Sequence, residues 1–491
     1  MDLVISKKNE AYIHVQCERS LAQELSDYFT FFVPGYQFTP AYKNRLWDGK
    51  IRLLDLRSNL MYYGLIPYIE KFCAERNYSI YFDSSVNLKD NFSVKEALDF
   101  VETLNLPDTL EQREYQITAF VHAIRNRRVL LLSPTASGKS LIQYLILRYI
   151  QTKCNKGLLI VPTTSLVEQM YSDFKSYGYD VEEYCHRQYA GKEKVTGKFL
   201  TITTWQSIYN NPPEYFDQFD FVLGDEAHNF KAKSLATIMS GLKNTLYRIG
   251  CTGTLDGTKT HKLVLEGLFG PVLKVTTTKE LMDNKQIADF KIKCLILKYP
   301  EEVCKESRGW DYQKEIGYIV QNEQRNTFIK NLALSLKGNS LILFQLVEKH
   351  GKKLFSIIEA EAKNRKVFLV YGNTEVEVRE QVRAITEKEN DAIIVASYGT
   401  FSTGINIRNL HNVIFASPSK SRIRNLQSIG RSLRKGDNKE EATLFDIADD
   451  FRIGKHTNFT LQHFIERIKM YDDEKFSYKF YNIELKNGQT N

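Results

Sequence analysis

The sequence predicts an α/β protein, with two tandem parallel sheets, a small α+β domain in front of them and a helical tail behind. Three observations carry this. Apolar runs of strand length alternate with helical patterns from 129 to about 280 and again from 341 to 445. Segments rich in Ser, Thr, Gly or carboxylates follow the runs directly, where open parallel sheets place their sites. A chain of 491 residues has room for about three domains at roughly 150 each.

Composition narrows the class. The chain is 43% hydrophobic and 26% charged, enough for several cores with an ordinary surface. A net charge of +8 permits a polyanionic partner without demanding one. Seven cysteines, with no C-x-x-C and no Cys/His ligand spacing, point to free thiols in a reducing cytoplasm. No run of about 18 apolar residues is present, so no membrane span is expected. The polar start, Met1-Asp2 to Glu10, lacks the apolar core of a signal peptide.

Residues 1–86 read as the α+β domain. Phe29, Phe31, Phe32, Tyr36, Phe38, Tyr42 and Trp47 crowd one stretch, which runs through a Trp47-Asp48-Gly49 turn into Lys50-Ile51-Arg52-Leu53-Leu54. Two readings stand. The basic strip Lys43, Arg45, Lys50, Arg52, interleaved with aromatics, could track a phosphate backbone. Alternatively the aromatics are simply the core, since the first 105 residues hold twelve Lys/Arg against fourteen Asp/Glu. Residues 87–107 read as a linker helix, on the spacing of Val94, Ala97, Leu98, Val101 and Leu104.

The first sheet domain is placed at 108–285. Arg113-Glu114-Tyr115-Gln116 precedes its first strand, and the Gln116 amide can both donate to and accept from an adenine edge. The run Val129–Leu132 leads into Ser133-Pro134-Thr135-Ala136-Ser137-Gly138-Lys139-Ser140 and then an apolar helix: strand, phosphate loop, helix. Backbone N–H groups over 135–138, after Pro134, would cradle a triphosphate. Lys139 would reach the β/γ-phosphates, and Ser140 would ligate Mg²⁺. Further strands are expected at Leu158–Val161, Leu200–Thr203, Phe219–Leu223 and Tyr247–Cys251. The polar groups after them are Thr163-Thr164 and Thr204 with Gln206, which would grip the backbone phosphates of a nucleic-acid strand, then Asp225-Glu226-Ala227-His228, and Thr252-Gly253-Thr254. Asp225 sits where a carboxylate holds Mg²⁺, partly through water, and Glu226 can activate the attacking water.

Asp-Glu-Ala-His with these companions resembles the DEAH-box helicases of superfamily two, whose two sheet domains are RecA-like. The second half agrees. Runs at Leu341–Phe344, Val367–Val370, Ala392–Ala396, Asn412–Ala416 and Ala442–Phe445 suggest a second such sheet, within a domain placed at 286–450. The stretch 396–406, ending Ser402-Thr403-Gly404-Ile405-Asn406, resembles motif V, and Gln427-Ser-Ile-Gly-Arg431-Ser-Leu-Arg434 matches motif VI. On a helix Gln427, Arg431 and Arg434 share a face that could bring two guanidiniums to a γ-phosphate held by the other domain. Residues 451–491 read as the helical tail, packed by Phe459, Leu461, Phe464, Ile465, Ile468 and Tyr471.

Leu46-Trp-Asp-Gly-Lys-Ile-Arg-Leu-Leu-Asp55 and Ala396-Ser-Tyr-Gly, followed by Phe401-Ser-Thr-Gly-Ile405, further resemble the UvsW-type recombination and repair helicases of tailed phages. That resemblance implies an ATP- and Mg²⁺-dependent DNA helicase in the host cytoplasm, acting on branched DNA by fork regression, Holliday junction migration and R-loop unwinding, with RNA–DNA hybrids among its partners and no membrane. It implies roles for Gly404 and Asn406 at the nucleotide, and for His228, Thr252, Thr254 and Gln427 in coupling. A monomer or weak oligomer is expected. Two departures bear on coupling: Thr252-Gly253-Thr254 replaces a Ser/Thr-Ala-Thr motif, and Asn406 replaces an acidic residue. The competing functions are a duplex translocase without strand separation, an RNA helicase, and a non-catalytic scaffold. The intact Lys139, Asp225, Glu226, Arg431 and Arg434 disfavour the last.

Overall fold

The computed structural model describes residues 2–86, 89–108, 110–189, 197–404, 407, 409–432, 441–454 and 456–485. The backbone divides into two compact units, residues 1–133 with 138–276, and residues 134–137 with 277–491. The division falls at Thr276, nine residues before the boundary expected from the sequence.

Seven strands open the chain: β1 (Leu3–Lys7), β2 (Tyr12–Cys17), β3 (Thr30–Phe32), β4 (Lys50–Arg52), β5 (Leu54–Asp55), β6 (Leu60–Tyr62) and β7 (Ile80–Phe82). Five form a mixed sheet in the order β5-β6-β2-β1-β7, while β3 and β4 pair apart as an antiparallel ribbon. Alternation of buried Leu3 and Ile5 on β1, and of Ile13 and Val15 on β2, turns one face inward. The helix Ile66–Arg76 covers that face with Ile69, Phe72 and Cys73.

The next seven strands are β8 (Arg128–Leu132), β9 (Gly157–Val161), β10 (Cys185–Gln188), β11 (Leu200–Thr204), β12 (Phe221–Gly224), β13 (Tyr247–Thr252) and β14 (Val272–Lys274). They form an all-parallel sheet, ordered β10-β11-β9-β12-β13-β8-β14. Both faces are covered, which is why its central strands read as unbroken apolar runs. The segment expected to be a linker belongs to this core: the helix Val94–Thr103 buries Ala97 and Val101, and Asp90 pairs with Arg127.

The small domain is not a detachable module. Its core continues into the first sheet domain, joining Leu65, Ile69 and Phe72 to Leu130, Ile160, Leu263 and Phe269. The helix Lys259–Phe269 carries most of the junction. Gly64 lies so close to the backbone of Glu266 and Gly267 that a Cβ would collide with their carbonyls. Tyr68 donates its hydroxyl hydrogen to Glu266 at 2.6 Å. Buried Glu10 pairs with Arg128 at the start of β8, and the Arg128 guanidinium lies 4.1 Å over the Tyr63 ring. Buried Arg248, on β13, donates to the carbonyls of Leu268, Leu242 and Glu10.

The second unit holds β15 (Asp289–Lys298), β16 (Ser340–Phe344), β17 (Val367–Val370), β18 (Ile393–Ser397), β19 (Asn412–Phe415), β20 (Glu441–Asp450) and β21 (Tyr478–Glu484). It is another seven-stranded parallel sheet, ordered β17-β18-β16-β19-β20-β15-β21. The tail supplies the expected helix, Phe459–Asp473, and beyond it the unexpected edge strand β21 beside β15. Buried Arg467 holds the helix down through Asp446, which also accepts from Tyr471. Among the described residues no helix is long and apolar enough to cross a membrane.

Candidate active site

The phosphate loop runs from β8 to the helix Lys139–Ile150. Ser133 N–H donates to the Thr252 carbonyl at 2.8 Å, which fixes the loop's start to the end of β13. Ser137 Oγ donates to the Pro134 carbonyl at 2.6 Å. Ala136 (φ 68°) and Gly138 (φ 80°) are left-handed, so successive N–H groups curl into an anion-binding nest. No side chain caps the helix at Gly138, and its first N–H groups are left for a ligand. The positive φ favours glycine there, and a Cβ would have to displace the Gln116 amide. Gln116 thus lies against the loop, but its Oε1 is committed to Arg113 N–H at 3.0 Å.

Lys139 and Ser140 open the helix. Lys139 Nζ lies 3.9 Å from Glu226 Oε1, and Ser140 Oγ shares a hydrogen bond of 2.9 Å with Tyr177 OH. Asp225 follows β12 directly, its N–H bonded to the Ile160 carbonyl of β9. It is buried, and its carboxyl is raised above the usual carboxylate range by that burial and by the neighbouring Glu226, with Lys139 opposing. A buried carboxylate close to the Lys139 charge, with the Ser140 hydroxyl at the start of the same helix, is an oxygen donor set suited to a divalent cation beside a phosphate. The residues therefore fit ATP and Mg²⁺.

Glu226 takes φ 47°, an uncommon backbone for a non-glycine residue. His228 Nδ1 lies 3.4 Å from Glu226 Oε2 and 2.9 Å from Thr252 Oγ1. Thr252 Oγ1 in turn donates to the Thr254 carbonyl at 3.0 Å. So Lys139, Ser140, Asp225, Glu226, His228, Thr252 and Thr254 converge at one end of the sheet. Sequence reasoning missed two members: Gln143, whose Nε2 donates to Asp225 Oδ1 at 3.1 Å, and Tyr177. The signal for Gln143 was its place four residues after Lys139, one helical turn along the same face.

Thr163, Thr164, Thr204 and Gln206 lie on neighbouring loops, because β9 and β11 pair with Val161 opposite Thr204. Thr164 and Gln206 are exposed. Thr163 caps the helix Thr164–Ser176, and Thr204 is buried with its hydroxyl on Ser207, so these two offer less than the sequence suggested. In the small domain Lys43 and Arg45 are exposed, whereas Lys50 lies over the Phe32 ring and Arg52 is paired with Asp48. In the second unit Gln427 and Arg431 belong to the helix Arg422–Ser432, and Gly404 ends the helix Tyr398–Gly404. Asn406 and Arg434 lie outside the described residues.

The chain is similar to known proteins throughout. Residues 2–83 match the family described as DNA helicase UvsW, N-terminal; residues 109–257 match the type III restriction enzyme res subunit; residues 323–436 match the helicase conserved C-terminal domain. The ATP-dependent DNA helicase UvsW of Enterobacteria phage T4 is 36% identical, over 99% of this chain and all of the relative. The chain belongs to the UvsW family of DNA helicases. The crystal structure of T4 UvsW matches with a TM-score of 0.52 at 34% identity, covering 99% of this chain and 100% of that one. A DNA 3′-5′ translocase, XPB2 of Sulfurisphaera tokodaii, is 25% identical over 75% of this chain and 89% of its own. UvsW-family membership makes this an ATP-dependent DNA helicase with two RecA-like sheets behind a small N-terminal domain.

Proposed function

We propose that this ATP-dependent DNA helicase acts on branched DNA, regressing forks, migrating four-way junctions and unwinding R-loops. The observation that carries the reading is the N-terminal domain, of a kind matched by the UvsW N-terminal family and built onto the helix that follows the Thr252–Thr254 loop. A surface rigidly attached to the motor domain can recognise a branch and stay in register with the hydrolytic end of the sheet.

In the proposed mechanism the phosphate loop binds the triphosphate through its N–H nest and Lys139 neutralises the β/γ charge. Ser140 and Asp225 would hold a divalent cation, which would supply further charge neutralisation. Gln143 orients the Asp225 carboxylate toward it. Glu226 receives the proton of the attacking water, and His228 relays the state of Glu226 to Thr252 and Thr254. Arg431 and Arg434 offset transition-state charge, and Gln427 joins them in coupling. Exposed Thr164 and Gln206, on loops held in place by Thr163 and Thr204, would face the backbone of a DNA strand without reading bases, as would Lys43 and Arg45.

The deciding experiment measures ATPase and unwinding side by side on single strands, forks, four-way junctions and RNA–DNA hybrids. Preference for forks and junctions supports the reading. Equal activity on plain duplexes, without strand displacement, would assign the chain to duplex translocation, the activity in the XPB2 name.

A further inference from the structure

The loop between β3 and β4 is tightly built yet presents an open cavity of mixed apolar and charged lining. Thr39 caps the short helix Pro40–Lys43. The Tyr36 ring stacks on Phe32 at 4.7 Å and meets Tyr42 edge-on at 4.7 Å. Trp47 Nε1 donates to the Lys50 carbonyl at 2.8 Å. Gly49, at φ 80°, leaves the room that Tyr36 fills. Against this fixed frame Phe38 is 78% exposed and Leu46 81%, the most exposed of the large apolar side chains. Leu46 lines a cavity of about 610 Å³ together with Gln37, Tyr42, Lys43, Arg45 and Trp47. Arg45, at φ 56°, is the left-handed residue that ends the helix, with Leu46 N–H closing onto the Ala41 carbonyl at 2.8 Å.

The charges around the cavity narrow its occupant. Lys50 and Arg52 are engaged by Phe32 and Asp48, and the Asp48 carboxylate forms part of the wall. A continuous phosphate track is therefore disfavoured. Among the described residues the side chains of Lys43 and Arg45 enter no ion pair. What is left is two available cations beside an aromatic and aliphatic wall, in a cavity of ligand size.

We propose that this cavity binds one unpaired nucleotide of a DNA strand. The base lies against Tyr42, Leu46 and Trp47, and the flanking phosphates meet Lys43 and Arg45. This rests on the branched-DNA reading and gives it a location, since the single-stranded segments of a fork or an R-loop offer unpaired nucleotides and a perfect duplex does not.

The test uses the full chain and two duplexes alike except for one unpaired 2-aminopurine nucleotide. The wild type should bind the bulged duplex roughly ten-fold more tightly than the matched one, with a change in 2-aminopurine fluorescence. Leu46→Ala should lose both the preference and the fluorescence change. Lys43→Ala with Arg45→Ala should flatten the salt dependence by about two slope units. Thermal melting of each variant, compared with wild type, separates these losses from misfolding, and Tyr42→Phe should retain the preference. Equal affinity for the two duplexes, or a full preference in Leu46→Ala, overturns the proposal. So does a wild-type dimer that Leu46→Ala converts to monomer with DNA preference intact, which gives the surface to a second copy. Failure of the branched-DNA reading looks different: the bulge preference persists, but forks and junctions are unwound no better than plain duplexes.

Discussion

Lys139 touches the phosphates in the proposed mechanism and no DNA. Lys139→Ala should therefore abolish DNA-stimulated ATPase while leaving nucleotide-free DNA binding near wild type, checked by phosphate release and fluorescence anisotropy. Hydrolysis near the wild-type rate would dismiss the phosphate-loop assignment. A second residue sets a pH limit. His350 is fully buried in the second unit, with Nδ1 3.0 Å from Ser417 Oγ and, among the described residues, no hydrogen-bond partner for Nε2. Burial pushes the imidazole down to about 3, helped by the charges of Arg325 and Lys353. The unfolded chain, with an ordinary imidazole near ~6.5, binds the proton first as pH falls. Stability is thus intact above about pH 7 and erodes below it, by about 2 kcal/mol at pH 5. Urea midpoints at pH 7.5 and 5 should show that extra loss in wild type and not in His350→Asn; identical losses would refute it.

At the scale of elements, the helix Lys259–Phe269 and the segment around Gly64 make the most specific prediction. Removing residues 1–86 strips the cover from Leu263 and Phe269, so the truncated chain should aggregate rather than keep a working ATPase. Gly64→Ala tests the same junction gently. Its Cβ meets backbone carbonyls that cannot rotate away, and unfolding should cost about 1–3 kcal/mol less, read as a lower Tm. An unchanged Tm would mean that the junction yields. None of this was legible in the sequence, because Glu10 and Arg128 lie 118 residues apart and nothing local marks them as partners. The strands at Leu158–Val161 and Leu341–Phe344 were legible, because burial on both faces writes an unbroken apolar run. The edge strands β10, β14 and β21 were not: Tyr478-Lys-Phe-Tyr-Asn-Ile-Glu484 is mostly exposed and carries no such run. The contiguous phosphate loop was readable, whereas Gln143 and Tyr177 join the site only through packing.

For the molecule as a whole, the second sheet is tied together by its most distant strands. β15 lies between β20 and β21, and its inner residues Cys294 and Leu297 are fully buried. Ending the chain at residue 477 removes one partner along Ile292–Lys298 and exposes a long apolar edge, so the shortened protein should aggregate at concentrations where the full chain stays monodisperse by light scattering. The same arrangement sets a timetable for synthesis. Both neighbours of β15 are encoded downstream, the nearer beginning about 140 residues after β15 ends. At ~5–20 residues per second the ribosome holds that strand unpaired for on the order of ten seconds or more, while the earlier sheet, whose strands end by Lys274, is already free to close. Nascent chains of this helicase thus emerge with a finished motor half and a waiting strand, and the interval before β20 appears is when a holding chaperone would matter most.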